Sequence, residues 1–403
     1  MMSLLVLPPE VTDIVIGHLH NDKASLASCS LVCKALTPTS QSYIFRSIVF
    51  CYNPMSSSTS SSKFFELVQA FFHTQDTATK RHEIREFTIV GEGGLGRHGP
   101  SVDDDRIIPI SLVHSVLQEL PNLRVFRLLR FNLPPLSLIP SCERPPRRQL
   151  SELDFRSHAV SLSTLSAFLC YFEEVNHLKV SLIGCTDDIG TTASGSVNGD
   201  VLPQISRLSI SGWKTYRLLR HLLTPNSTLT SLRLNIFDTG PATEDIGAFI
   251  RVAGTKLEYL HITLPTLYSD VSLVDRYNVS SCVKLVELSL ALVLDLDCLQ
   301  RPQTTNWDCM ISLLSAIPTP LNLRQFTFTL SFVGSVRDQR ISSLQVYDWG
   351  LMDQALARFR DLERVAFLGA EDGLVGLLGD LRDFITEHLP ILSAALGERL
   401  VLL

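Results

Sequence analysis

Residues 7–50 read LPPEVTDIVIGHLHNDKASLASCSLVCKALTPTSQSYIFRSIVF, and this stretch carries more apolar side chains than so short a segment can bury by itself. Three short helices are predicted here. The first begins at Pro8, where a missing backbone N–H is tolerated, and Ser25 is the predicted N-cap of the second. Pro38 opens the third helix, which ends near Phe45. Because apolar residues fall on more than one face of these helices, we expect one face to dock on another polypeptide.

This pattern resembles the F-box, the adaptor motif that binds Skp1 in cullin-RING ubiquitin ligases, in a form similar to that of mushroom-forming fungi. The matching features are Leu7-Pro8, the spaced Val11, Ile14 and Leu19, Leu26, Cys29, the run Leu31-Val32-Cys33-Lys34, and the closing Ile44-Phe45-Arg46 with Ile48. One position departs from the family, because Leu36 stands where Trp is common. The resemblance implies Skp1 contacts at Leu7, Pro8, Val11, Ile14, Leu19, Leu26, Leu31 and Val32. A plain helical cap on the following domain is the alternative.

The composition is that of a globular protein with a net negative charge. Of the 403 residues, 45% are hydrophobic and 19% are charged, and the net charge is −6. A negative chain is a poor match for nucleic acid or an anionic membrane surface, so neither is an expected partner. The sequence contains no apolar run long enough for a transmembrane helix and no basic leader typical of a signal peptide. The nine cysteines form no C-x-x-C pair, which favours a reducing, cytoplasmic or nuclear compartment.

After the first fifty residues, the pattern L-x-x-L-x-L, with other apolar residues allowed at the L positions, recurs ten times. The instances begin at Ile84, Leu123, Leu150, Val175, Ile205, Leu229, Leu257, Leu285, Leu323 and Leu362. Helix-like segments separate them, which implies parallel strands joined by crossover helices. One such unit cannot bury its own apolar side, so neighbouring units should stack. The series resembles the degenerate leucine-rich repeats that often follow an F-box.

The predicted fold is α/β: a three-helix F-box over residues 1–50, a linker over 51–63, and a leucine-rich-repeat-like solenoid over 64–403. The solenoid should have parallel strands and outer helices, and a two-layer α/β sandwich with a flat parallel sheet is the alternative. Polar residues that alternate with the buried ones should line the concave sheet face. Six of them are predicted to contact a target protein: Arg156, Lys179, Arg207, Arg233, Tyr259 and His261. Loops at the strand ends are the alternative binding surface.

Motifs that could indicate an enzyme or a cofactor fail on their context. The run Gly91–Gly96 matches G-x-G-x-x-G, but no helix is predicted to begin at its third glycine, as a dinucleotide site requires. The carboxylates of Asp103–Asp105 lack the spacing of a calcium loop. Cys29 and Cys33 share one helix face, where a structural role is favoured over a nucleophilic one. The sequence therefore predicts no catalytic residue, no metal and no cofactor.

The expected function is substrate recognition in an SCF-type (Skp1–cullin–F-box) E3 ubiquitin ligase. The F-box would bind a Skp1-like protein of the cullin complex, and the repeats would bind a target protein whose identity the sequence does not give. The alternative is a protein-interaction scaffold that works without ubiquitylation. A third hypothesis is an enzyme whose site the linear sequence conceals.

Overall fold

The computed structural model describes most of the chain as short helices and parallel strands. The described residues are 8–52, 61–78, 80–91, 107–134, 147–186, 202–212, 218–219, 222, 228–236, 242–264, 277, 279–295, 304–318, 322–333, 344–345, 347–369 and 378–402. Among these residues, no helix is both long enough and apolar enough to cross a bilayer. The glycine run after residue 91, the acidic run at 103–105 and the Ser-rich part of the predicted linker lie outside the described residues.

Twelve strands form one sheet whose order follows the sequence. The strands are β1 (Ser47–Tyr52), β2 (Glu86–Gly91), β3 (Val125–Leu129), β4 (Arg148–Ser161), β5 (Phe172–Thr186), β6 (Gln204–Gly212), β7 (Ser231–Ile236), β8 (Tyr259–Leu264), β9 (Glu287–Asp295), β10 (Gln325–Val333), β11 (Arg364–Gly369) and β12 (Leu400–Leu402). Every described pairing is parallel. This confirms the predicted α/β class with parallel strands.

Helices precede the first strand and lie between many of the later ones, as parallel pairing requires. They are α1 (Pro9–Gly17), α2 (Lys23–Val32), α3 (Thr37–Phe45), α4 (Ser61–His73), α5 (Gln75–Ala78), α6 (Ile110–Glu119), α7 (Leu162–Leu169), α8 (Ala242–Ala253), α9 (Thr304–Ala316), α10 (Trp349–Ala357), α11 (Leu378–His388) and α12 (Pro390–Leu396). The sequence predicted most of these segments but missed α5 and α12. By the contacts among its residues, the protein divides into two compact units. Unit 1 comprises residues 1–176 and 188–203, and unit 2 comprises residues 177–187 and 204–403.

Each L-x-x-L-x-L motif overlaps one strand, and the apolar side chains of the motif are buried. In β8, for example, Leu257, Leu260 and Ile262 are buried, whereas Tyr259 between them is exposed. The motifs also share one backbone arrangement. At the described junctions the carbonyl oxygen of the second motif residue accepts two N–H groups of the next unit, as Glu258 O does from Val286 and Glu287 at 2.8 and 3.0 Å. Successive units therefore repeat the same geometry, and their stacking buries a shared apolar layer.

The first strand of this series begins inside residues 1–50, the stretch that the sequence assigned to the three-helix F-box. Ser47–Tyr52 forms β1, which pairs with β2 over its whole length, and Arg46 O accepts the N–H groups of Arg85 and Glu86. The predicted linker over residues 51–63 therefore differs from the structure at both ends. Its first two residues complete β1, and Ser61–Lys63 begins α4. The apolar alternation of residues 45–50 explains this, since it suits a strand as well as it suits a helix end.

Candidate functional site

The first three helices have a small core of their own, and we call residues 8–45 the helical module. Ile16, Leu26 and Leu36 are buried together, and five partly buried residues pack against them: Leu19, Cys29, Cys33, Tyr43 and Ile44. The Asp22 carboxylate caps α2 by accepting the N–H of Ser25 at 3.0 Å, so the N-cap is Asp22 and not the predicted Ser25. This hydrogen bond and that to the Ser25 hydroxyl lower the pKa of Asp22.

The module leaves large apolar side chains in contact with solvent. Leu31 is 86% exposed and Val32 69%, both at the end of α2. On α1, Ile14 is 62% exposed, and Val11 and Val15 are exposed as well. We call these five residues the apolar helix surface. Single exposed apolar residues are common on proteins, whereas five on two short helices lead us to expect contact with a partner.

The eight predicted Skp1 contacts therefore differ in how far their side chains are exposed to solvent. Val11, Ile14, Leu31 and Val32 are exposed, and Pro8 is exposed just before α1. Leu26 is fully buried and Leu19 packs against the core, so both support the surface from within. Leu7 lies outside the described residues. Val15 was missing from the predicted contacts, although its place in the α1 apolar pattern could have identified it.

Polar contacts hold the helical module together and fix it to other parts of unit 1. The Lys23 ammonium donates to Ser47 O at 2.7 Å, which joins α2 to β1. The Thr39 hydroxyl donates to Asp13 Oδ1 at 2.6 Å, which joins α3 to α1. Lys80, beyond α5, lies 4.3 Å from the ring centroid of Phe45. The module is thus held against its own unit by direct contacts and not only through the chain.

The second surface is a row of polar side chains on the sheet of unit 2, which we call the unit 2 polar face. Parallel register places Arg207, Ser231, Tyr259 and Glu287 side by side on β6 to β9. Two residues farther along the strands, Ser209, Arg233, His261 and Ser289 form a second row. These residues are exposed or half-buried and alternate with buried apolar neighbours.

His261 lies in a chain of hydrogen bonds that crosses this face. Thr263 Oγ1 donates to Asn235 Oδ1 at 2.7 Å, so at 3.3 Å it accepts the proton of His261 Nε2. Ser289 Oγ then donates to His261 Nδ1 at 2.8 Å. Burial, with a smaller effect from the Arg233 charge, lowers the pKa of His261 from 6.5 to about 4. The imidazole is therefore neutral at physiological pH and has a defined tautomer.

Among the described residues, arginines on the sheet face pair with carboxylates in unit 1 but not in unit 2. In unit 1, Arg127 Nε lies 2.9 Å from Glu152 Oε1, and Arg156 donates two hydrogen bonds to Asp154 at 2.8 and 3.1 Å. In unit 2, Arg207 and Arg233 are exposed, and neither has a carboxylate partner among the described residues.

The six predicted target contacts therefore do not form one set. Arg156 belongs to unit 1 and holds the buried Asp154, whereas Lys179, Arg207, Arg233, Tyr259 and His261 all belong to unit 2. Lys179 is half-buried and Tyr259 is 43% exposed. The alternation of polar and buried residues also places Asn235, Thr263 and Ser289 on this face, but it does not reveal that Thr263 binds Asn235 and that His261 joins Thr263 to Ser289. That link depends on strand register, which a repeat pattern alone leaves open.

Among the described residues, no group of three or more His, Cys, Asp or Glu side chains could hold a metal ion. Cys282 is buried, and burial raises the pKa of its thiol to about 12, so the sulfur is an unreactive thiol at neutral pH. The chain matches no known protein-family model, and it matches no curated protein sequence.

Proposed function

We propose that this chain is the substrate-recognition adaptor of an SCF-type (Skp1–cullin–F-box) E3 ubiquitin ligase. Residues 8–45 would form the F-box and bind a Skp1-like protein, and the strand-and-helix units would form a leucine-rich-repeat-like solenoid that holds the target. Other subunits would carry out the ubiquitin transfer. This chain would contribute proximity, because it would hold a target lysine near the conjugating enzyme.

The exposed apolar helix surface is the observation that carries the proposal. A module with its own small core would gain nothing from displaying Leu31 and Val32 to water, since burying such side chains stabilises by about 1.5–3 kcal/mol each. Docking on a partner would recover that free energy. The sequence resemblance to the F-box gives the partner its expected identity, and the repeated backbone junctions support the solenoid.

Co-expression with a Skp1-like protein tests the proposal. We expect a soluble, equimolar complex with the unaltered chain. The double variant Leu31→Ser/Val32→Ser should weaken capture by roughly a hundredfold, from about 3 kcal/mol of lost apolar burial, without unfolding the protein. Val283→Ser is the matched control, because Val283 is 54% exposed but lies in unit 2. Failure to form any complex would refute the adaptor role.

A second arm distinguishes an adaptor from a scaffold that uses the same partner without ubiquitylation. The complex of this chain with the Skp1-like protein is incubated with a cullin, and recovery of the cullin is measured. Cullin recovery that is lost in Leu31→Ser/Val32→Ser supports the ligase. A stable complex with the Skp1-like protein that never recovers a cullin favours the scaffold.

A further inference from the structure

The two exposed arginines of the unit 2 polar face are the feature that points to a ligand. Sheet-face arginines in unit 1 neutralise carboxylates of the same chain, as Arg127 does with Glu152. Arg207 and Arg233 have no such partner among the described residues. Lys179 occupies the same motif position on β5 as Arg233 does on β7, so β5, β6 and β7 each carry one cation within the motif. In a chain of net charge −6, this is a local concentration of positive charge.

The register of β6 and β7 sets the distance between the two guanidinium groups. Arg207 lies opposite Ser231, and Arg233 lies two residues farther along, opposite Ser209. Neighbouring strands are about 4.8 Å apart and two residues along a strand span about 6.6 Å, so the two Cα atoms are about 8 Å apart. Side chains on the same side of an extended peptide repeat every 6.6–7 Å or so. Two acidic residues separated by one residue therefore match the two arginines.

We infer that the unit 2 polar face binds an extended acidic segment of the target protein, with carboxylates at alternate residues contacting Arg207 and Arg233. This inference rests on the proposed function, because it assigns a chemical class to the target. Each guanidinium can bind a carboxylate through two parallel hydrogen bonds, and the hydroxyl of Ser231 lies opposite Arg207 as a further donor. Neutral His261 adds no competing charge next to Arg233.

The same face limits where the acidic segment can lie. Tyr259 follows Ser231 in the row and exposes 43% of its surface, so its ring can pack on the peptide backbone or on an apolar residue. Glu287 follows Tyr259 on β9 and would repel a further carboxylate. The acidic residues should therefore lie over β6 and β7, with uncharged residues toward β9.

The test uses the entire 403-residue chain without any Skp1-like protein, so its result does not depend on module docking. A rhodamine-labelled peptide of alternating Glu and Ser is titrated at low ionic strength, and fluorescence anisotropy measures its binding. A peptide with Gln in place of Glu is the ligand control. Arg156→Gln is the protein control, because that exposed arginine already has an internal carboxylate partner.

The inference predicts that the Glu peptide binds at least about tenfold more tightly than the Gln peptide. Arg207→Gln and Arg233→Gln should each weaken binding about tenfold, and Arg156→Gln should change it less than twofold or so. Added salt should weaken binding. Because a variant could misfold, the charge reversal Arg233→Glu is tested with a Lys–Ser peptide, which it should bind better than the unaltered chain does. Equal binding of the Glu and Gln peptides, no binding, or tighter binding of a polynucleotide would overturn the inference, whatever the outcome of the Skp1 experiment.

Discussion

Asp353 is the buried polar residue whose removal should have the largest and most readily measured effect on unit 2. It lies in α10 and is 2% exposed. Its carboxylate oxygens accept the backbone N–H groups of Ile391 and Leu392, each at 2.8 Å. These N–H groups belong to the first turn of α12, where no intrahelical acceptor exists. Asp353 therefore caps a helix that is distant in sequence, and its negative charge also suits the positive end of that helix.

Asp353→Ala should lower the free energy of unfolding by about 3 kcal/mol. A hydrogen bond to a charged group contributes about 1.5–3 kcal/mol, and two are lost. The expected loss of free energy is set below the sum of the two hydrogen bonds, because Ile391 is half exposed and water can reach its N–H group, whereas Leu392 is buried. Asp353→Asn keeps one acceptor but turns an amide donor toward the second N–H, so an intermediate loss is expected.

Urea unfolding followed by tryptophan fluorescence measures this effect. Trp349 lies in the same helix as Asp353, and its ring centroid is 4.6 Å from that of Trp307, so the signal reports on this part of unit 2. Asp361→Ala is the control, because Asp361 is an exposed carboxylate close by, and its change should stay within about 0.5 kcal/mol. A loss below about 1 kcal/mol for Asp353→Ala would refute the reasoning, since it would mean that the freed N–H groups find other acceptors.

Three further outcomes follow from burial and backbone geometry. Leu26→Ala should destabilise the helical module by about 2–4 kcal/mol, because Leu26 is fully buried in a very small core, and limited proteolysis should detect the loosened helices. Lowering the pH from 6.5 to 4 should reduce the free energy of unfolding, since the pKa of His261 is lowered to about 4 and the unfolded chain binds more protons in this range; the loss is at most roughly 3 kcal/mol, and His261→Asn should flatten this part of the stability curve. Gly212→Ala should destabilise unit 2 by about 3 kcal/mol in urea unfolding, because Gly212 has φ +114° and a Cβ atom would lie 1.6 Å from Leu182 O.

The ten strand motifs could be predicted because their apolar residues alternate with the period of a strand. Two strands escaped this reasoning for different reasons. Residues 45–50 satisfy the same pattern, but they follow a helix directly and were assigned to the predicted F-box. In β12, Leu400 and Leu402 alternate correctly, yet the preceding apolar residue, Leu396, is one position too far away. A pattern based on spacing fails at the ends of a repeat series, where units are shortest and least regular.

The candidate surfaces were less predictable, because sequence gives a residue's polarity but not what covers it. The apolar pattern of α2 includes Leu26 and Val32 equally, and the structure places one in the core and the other 69% in solvent. On the sheet, Arg156 and Arg233 occupy similar alternating positions. They differ only in the carboxylate that lies next to Arg156, which is Asp154 on the same strand. Whether an apolar side chain lies in the core or on the surface is decided by packing between segments, whereas the Asp154–Arg156 pair follows from i, i+2 spacing on one strand.

The direct attachment of the helical module bears on how an adaptor could work. A flexible linker between the two binding surfaces would lower the effective concentration of a bound target at the transfer site. Here α3 ends at Phe45, Arg46 O already accepts the N–H groups of Arg85 and Glu86, and Lys23 donates to Ser47 O. The module therefore shares a rigid junction with the first strand of its own unit. If the proposed function holds, a partner docked on the apolar helix surface is joined to the first strand of unit 1 by these contacts, which favours the proximity that a transfer reaction needs.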